Sequence, residues 1–143
     1  MRKKFDVLTF GDLCVDMIIS GNDVVPEFGQ KEKIVDDYSL EMGGSCSIFA
    51  CQTSKLGLSA AVAGRVGNDR FGELILGTLK EARVSTDYIL TDDSLKTGIS
   101  IALNTGDDRA ILTYNGTIDS VGPEDVDVEL LKSIRHLHIG SYY

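Results

Sequence analysis

The chain has no tryptophan, two prolines, three cysteines and a shortage of positive charge. Each lack excludes something. Lys and Arg number 14 against 22 Asp and Glu, a formal net charge of −8. That balance argues against nucleic acid or an anionic membrane as partner, since both are bound by clustered cations. The cysteines Cys14, Cys46 and Cys51 are odd in number and form no C-x-x-C pair, so neither a disulfide framework nor a metal site is expected. Long apolar runs are missing too. Met1-Arg2-Lys3-Lys4 resembles the start of a secretion signal, but Phe5–Phe10 is broken by Asp6 and Thr9 and is too short for a signal core. A cytoplasmic protein is the expectation. Neither G-x-G-x-x-G nor a G-x-x-x-x-G-K-[ST] phosphate loop occurs, and no G-x-S-x-G elbow supports a hydrolase.

What is present is the patterning of one domain with a true core: 143 residues, 43% apolar and 25% charged. Phe5–Phe10 reads as a buried strand, which Met17–Ser20 extends beyond a bend. Residues 21–32 have loop chemistry, and Ile34–Leu40 is a partly exposed strand. Ser45 is placed to cap a helix through Lys55, ended by Gly57, with Ile48, Cys51 and Leu56 as its apolar face. Ser59–Val66 is small and apolar throughout, a strand covered on both faces. After Asp69, the residues Phe71, Leu74, Ile75, Leu79 and Ala82 recur at helical spacing.

This alternation predicts an α/β fold with a mostly parallel sheet and flanking helices. Tyr88–Leu90 then reads as a strand, and Thr97–Leu103 with Arg109–Tyr114 as a hairpin around the loop Asn104–Asp108. Such an insertion suggests a small accessory sheet acting as a lid. Pro123 opens one more short helix containing Val128, Leu130 and Leu131, and Arg135–Ile139 is a final strand. A parallel unit that stops at a strand exit has no following helix to cover its sheet, so a truncated piece of a longer domain is expected.

Ligands of open α/β sheets bind beyond the carboxyl ends of the strands. Three segments converge there. In Gly11–Asp16, Asp16 could accept hydrogen bonds from two neighbouring hydroxyls, or merely form a turn or cap. Gly43-Gly44-Ser45-Cys46 could let a ligand approach the backbone at a helix start, or be simply a tight loop. Gly64–Gly72 reads better as a structural strand-to-helix turn capped by Asp69. His136 and His138 share a strand face with no acidic or Cys partner nearby, and read as ordinary packed or exposed residues.

Together these blocks resemble the ribokinase-like, or PfkB, carbohydrate kinases. The stretch GGSCSIFACQTSKLGLSAAVAGRVGNDRFGE carries that family's amino-terminal signature, with Gly43, Gly44, Ala50, Gly57, Gly67, Asp69 and Gly72 in register. Gly11, Asp12 and Asp16 match its strand-1 motif, and TGISIALNTGDDRAILTYNG falls at its lid. The resemblance covers residues 1–143 as the amino-terminal part of such a domain, with lid strands around 33–40 and 97–114. It implies a substrate-binding half in which Asp16 and Gly43-Gly44 meet sugar hydroxyls beside Cys14, Ser45 and Ile48. The lid, through Ile101, Arg109 and Tyr114, would cover them and join two copies as a homodimer.

The catalytic base and the site for ATP and Mg²⁺ belong to the family's carboxyl-terminal half, so this chain is expected to contain no catalytic residue and to be inactive alone. Three positions depart from the pattern: Cys14, Ile48 and Ile118 stand where members commonly carry Asn. A lost buried hydrogen bond costs about 1–3 kcal/mol. The resemblance therefore implies a substrate other than ribose bound in the usual way: a less hydroxylated sugar, a sugar acid, a sugar phosphate or a nucleoside. A nucleoside kinase of this fold would need an aromatic stacking partner, for which Phe49, Tyr142 and Tyr143 are candidates. A non-catalytic sugar-binding or dimerisation module is the reading from outside enzymology.

Overall fold

The computed structural model describes residues 3–140 and has an α/β architecture built on two four-stranded sheets. The strands are β1 (Phe5–Phe10), β2 (Cys14–Gly21), β3 (Asp37–Gly43), β4 (Ala60–Gly67), β5 (Ser85–Asp92), β6 (Gly98–Thr105), β7 (Asp108–Tyr114) and β8 (Ile134–Ile139). The helices are α1 (Ser45–Lys55), α2 (Arg70–Glu81) and α3 (Val128–Lys132). The first sheet has the order β5-β4-β1-β8 and is parallel throughout. The second has the order β3-β2-β6-β7, with a parallel central pair and antiparallel outer pairs. Met17–Ser20 thus belongs to a separate strand in the second sheet and does not extend β1. The chain leaves β1 at Gly11, whose φ of 152° and contacts (an added Cβ would lie 2.6 Å from the Gly140 oxygen) suit glycine alone.

β4 shows why the parallel sheet forms. Ala60, Val62 and Val66 pack with Ile75, Leu79 and Ala50 on the helical side, while Ala61 and Ala63 pack with Leu8, Leu130 and Ile134 on the other. That is period-2 alternation with apolar residues in both phases, as a strand buried on both faces requires. Each fully buried Leu or Ile contributes about 1.5–3 kcal/mol.

α1 differs from the expectation in two ways. It is capped by Gly44, at φ 86°, and Ser45 is its first residue. An added Cβ on Gly44 would lie 2.6 Å from the Asp12 carbonyl oxygen, so the chain turns where only glycine fits. Its buried face is Cys46, Ser47, Ala50, Cys51 and Thr53, whereas Ile48 and Leu56 are 46% and 82% exposed. Small residues let the helix lie close on the sheet, and this turns Ile48 elsewhere. The carboxyl end is as expected: Gly57 adopts φ 88°, and the amides of Gly57 and Leu58 bond back to Ser54 and Thr53.

Two further details depart from the sequence reading. The hairpin loop is a two-residue turn at Gly106-Asp107, with pairing continuing to Thr105 and Asp108. The helix expected after Pro123 is two pieces, because Asp125 closes a 3₁₀ turn back onto the Gly122 amide and Asp127 starts a new cap on Glu129. No helix among the described residues is long and apolar enough to cross a membrane.

Asp69 ties the two sheets together. It caps α2 by accepting from the Gly72 amide, and it accepts both the Thr97 amide and the Thr97 hydroxyl, each at 2.8 Å. The buried Thr97 hydroxyl in turn accepts the Gly67 amide. Burial opposes the Asp69 charge, yet these bonds outweigh it and hold the carboxyl below its ordinary value. Asp92 sits at about 2, held there by Ser94 and Leu95 and aided by Arg65, which also pairs with Asp125. Both carboxylates therefore stabilise the fold at neutral pH, and the contribution fades only as pH falls through their depressed values. Thr97→Val, which leaves the Gly67 amide unpaired and removes one of the bonds to Asp69 Oδ1, is expected to cost about 1–3 kcal/mol in urea unfolding; a loss below a few tenths would show that this bridge is dispensable.

Candidate functional site

Strand alternation places Cys14 and Asp16 on one face of the second sheet. In register with Asp16 lie Glu41 on β3 and Ser100 on β6, and Ser100 is in turn opposite Thr113 on β7. This face looks onto the first turn of α1. Between them is a cavity of about 430 Å³ lined by Asp12, Cys14, Asp16, Gly44, Ser45, Ile48, Ser100, Thr113, Asn115 and Ile118. The size suits a small ligand. No Lys or Arg lines it.

Gly43 is adjacent and serves Asp16 by having no side chain. A Cβ there would fall 2.5 Å from the Asp16 carboxylate atoms. Burial raises the Asp16 carboxyl above its usual value, the Cys14 thiol bond opposes this, the Asp12 charge adds to it, and Arg109 pulls it back. Cys14 donates weakly to Asp16 Oδ1 at 3.8 Å; burial and the Asp16 and Asp12 charges push its thiol to about 12. It is therefore a neutral SH group and no nucleophile. Ser45 Oγ lies 3.4 Å from Asp12 Oδ1, and the Ser100 and Thr113 hydroxyls pair at 3.1 Å. Two carboxylates accept hydrogen bonds, and hydroxyls can donate or accept. Such a set matches neighbouring hydroxyls on an uncharged ligand better than it matches an anion.

Of the residues singled out in the sequence, the structure brings Cys14, Asp16, Gly44, Ser45 and Ile48 to this cavity, with Gly43 behind Asp16. Arg109 lies on the same sheet face farther out, opposite Asn104. Ile101 and Tyr114 fall on the opposite face by alternation, and Tyr114 joins Phe71 and Ile99 in a separate hollow. Asp69 is committed to the fold and does not line the cavity. His136 is exposed, and His138 stacks on Phe49 with centroids 4.0 Å apart and an interplanar angle of 14°. Phe49 thus already has an aromatic partner, while Tyr142 and Tyr143 lie outside the described residues. Ser100, Thr113 and Asn115 were not singled out. Their signal was a polar residue recurring in an otherwise apolar hairpin, which means little until register is known.

Comparison with known proteins identifies the family and the fold. Residues 4–143 match the model of the pfkB family carbohydrate kinases. A 5-dehydro-2-deoxygluconokinase of Listeria monocytogenes is 28% identical over 142 residues, covering 96% of this chain and 42% of the relative. The solved fructokinase of Halothermothrix orenii superposes with a TM-score of 0.79 at 27% identity, over 94% of this chain and 45% of that one. An Escherichia coli ribokinase II structure in complex with ATP and Mg²⁺ has a TM-score of 0.77 at 25% identity, over 97% of this chain and 42% of its own. The chain thus spans less than half the length of these relatives. It belongs to the pfkB family of carbohydrate kinases.

Proposed function

We propose that this chain is the sugar-recognising part of a carbohydrate kinase, with Asp16 as the main hydroxyl acceptor and the second sheet as a lid. The observation that carries this reading is the cavity itself, which joins Asp16 to Gly44, Ser100 and Thr113 and contains no cation. Asp16 would hold two neighbouring hydroxyls and so fix the ring. The side-chain-free backbone at Gly43-Gly44 lets the ring come close, and the β6–β7 hairpin with β2 and β3 would exclude water above it.

In the whole protein the chemistry would be transfer of the ATP γ-phosphoryl group to a sugar hydroxyl, with Mg²⁺ supplying charge neutralisation. The cavity carries Asp12 and Asp16 and no Lys or Arg, which suits a neutral acceptor better than an anionic donor. The role of these residues is to bind and orient the acceptor, so the chain alone is expected to bind sugar without phosphorylating it.

Calorimetric titration with simple neutral sugars tests this directly. At least one is expected to bind, and Asp16→Asn to weaken it by about 10- to 100-fold, the worth of hydrogen bonds to a charged group, with an unchanged circular dichroism spectrum. Equal affinity in the variant would remove Asp16 from the site.

The lid's outer face supports pairing with a second copy. It exposes Tyr38, Leu112 and Tyr114 at 73%, 61% and 52%, a concentration of apolar area unusual for a free surface. A homodimer through the lid strands is expected by light scattering, and Leu112→Glu should shift it to monomer. A wild-type monomer at about 100 μM, far above the dissociation constant of a stable interface, would refute it.

A further inference from the structure

We infer that two copies of this chain interlock by exchange: Phe28, at the tip of each lid, enters the hollow of Phe71, Ile99 and Tyr114 at the base of the other. This deepens the homodimer reading and rests on it.

Phe28 lies in the loop between β2 and β3, at the far end of the lid. At 98% it is the most exposed large apolar side chain among the described residues, so it contributes nothing to packing within its own chain. The loop around it is nevertheless held in place. Val24, Val25 and Pro26 line one hollow with Ile19 and Leu103 of the lid's outer face. Lys31 and Lys33 bind Glu27 at 2.7 and 3.2 Å. A ring is thus presented on a braced loop, over the outer face, with nothing against it.

The receiving hollow is on the same face at the opposite end. Ile99 and Tyr114 are register partners on β6 and β7 at the base of the lid. With Phe71, Arg70 and Lys96 they line a space of about 400 Å³, ample for a phenyl ring. Within one chain the eight residues of β2, roughly 26 Å of strand, separate the loop from that base. A two-fold axis closes the gap. Where one outer face lies on the other with strands opposed, the tip of each lid falls over the base of its partner, and the contact is made twice.

The charges agree with this seating. Arg70 and Lys96 are exposed and pair with no carboxylate among the described residues. Asp69 beside them is satisfied by Gly72 and Thr97. In the loop, Glu27 and Asp23 hold the two lysines, which leaves Glu32 and Asp36 without a cation among the described residues. A cationic rim therefore meets an acidic loop, and a cation beside an aromatic ring adds attraction of its own.

Two measurements test the exchange. By sedimentation equilibrium, the Phe28→Ser dimer is expected to dissociate at least tenfold more readily than wild type, with an unchanged ¹H–¹⁵N spectrum away from the loop and the interface. In the second, unlabelled Glu32→Cys chains carrying a nitroxide are mixed with ¹⁵N-labelled wild type; Cys14, Cys46 and Cys51 are buried, so the label goes to the new thiol. The amides of Phe71, Ile99 and Tyr114 in the labelled copy are expected to broaden. A Phe28→Ser dimer as tight as wild type, or broadening that spares these amides, overturns the exchange and leaves the homodimer standing. A monomeric wild type removes both readings.

Discussion

The structure depends on how closely three backbone segments can approach at the carboxyl end of β1. Gly44 turns against the Asp12 carbonyl, Gly43 lies against the Asp16 carboxylate, and Gly11 lies against Gly140 and Cys46. A side chain at any of the three would occupy space already filled. Because they are bare, α1 can start directly beneath the second sheet, and the gap that remains is the cavity. The site is therefore a consequence of steric permission first and of polar groups second.

That arrangement holds Asp16 at some cost. Its carboxyl is partly stripped of water and faces a second carboxylate, so its charged form is disfavoured relative to an open carboxylate. A carboxyl with a raised pKa and a glycine rather than a packing side chain behind it fits the binding role proposed for Asp16. Asp69 shows the contrast. It is an acidic residue just past β4, but four hydrogen bonds from Gly72, Thr97 and Phe71 satisfy it, and its charge serves the fold.

Much of this was legible in the sequence. The small apolar run in β4 and the helical spacing in α2 are strong local patterns, and the tertiary structure agrees with them. The glycine pair was legible as a close backbone approach at a helix start, which Gly44 makes against the Asp12 carbonyl oxygen, whereas Asp16, open to a turn or cap reading, lies within β2. What failed did so for tertiary reasons. Ile48 and Leu56 look like the core face of α1, but small residues in the other phase allow closer packing and take that place. Met17–Ser20 looks like a continuation of β1, since nothing local reveals that a strand changes sheets. Ser100, Thr113 and the sidedness of Ile101 and Tyr114 depend on inter-strand register, which one sequence does not encode visibly.

The most direct test of the central claim is sugar affinity in Gly43→Ala. Gly43 has an ordinary backbone conformation, so alanine is tolerated by the chain itself, and the added methyl meets the Asp16 carboxylate. The account predicts a folded protein, by its NMR spectrum, in which sugar affinity has dropped by about tenfold or more because Asp16 is displaced. Wild-type affinity in a folded Gly43→Ala protein would contradict it.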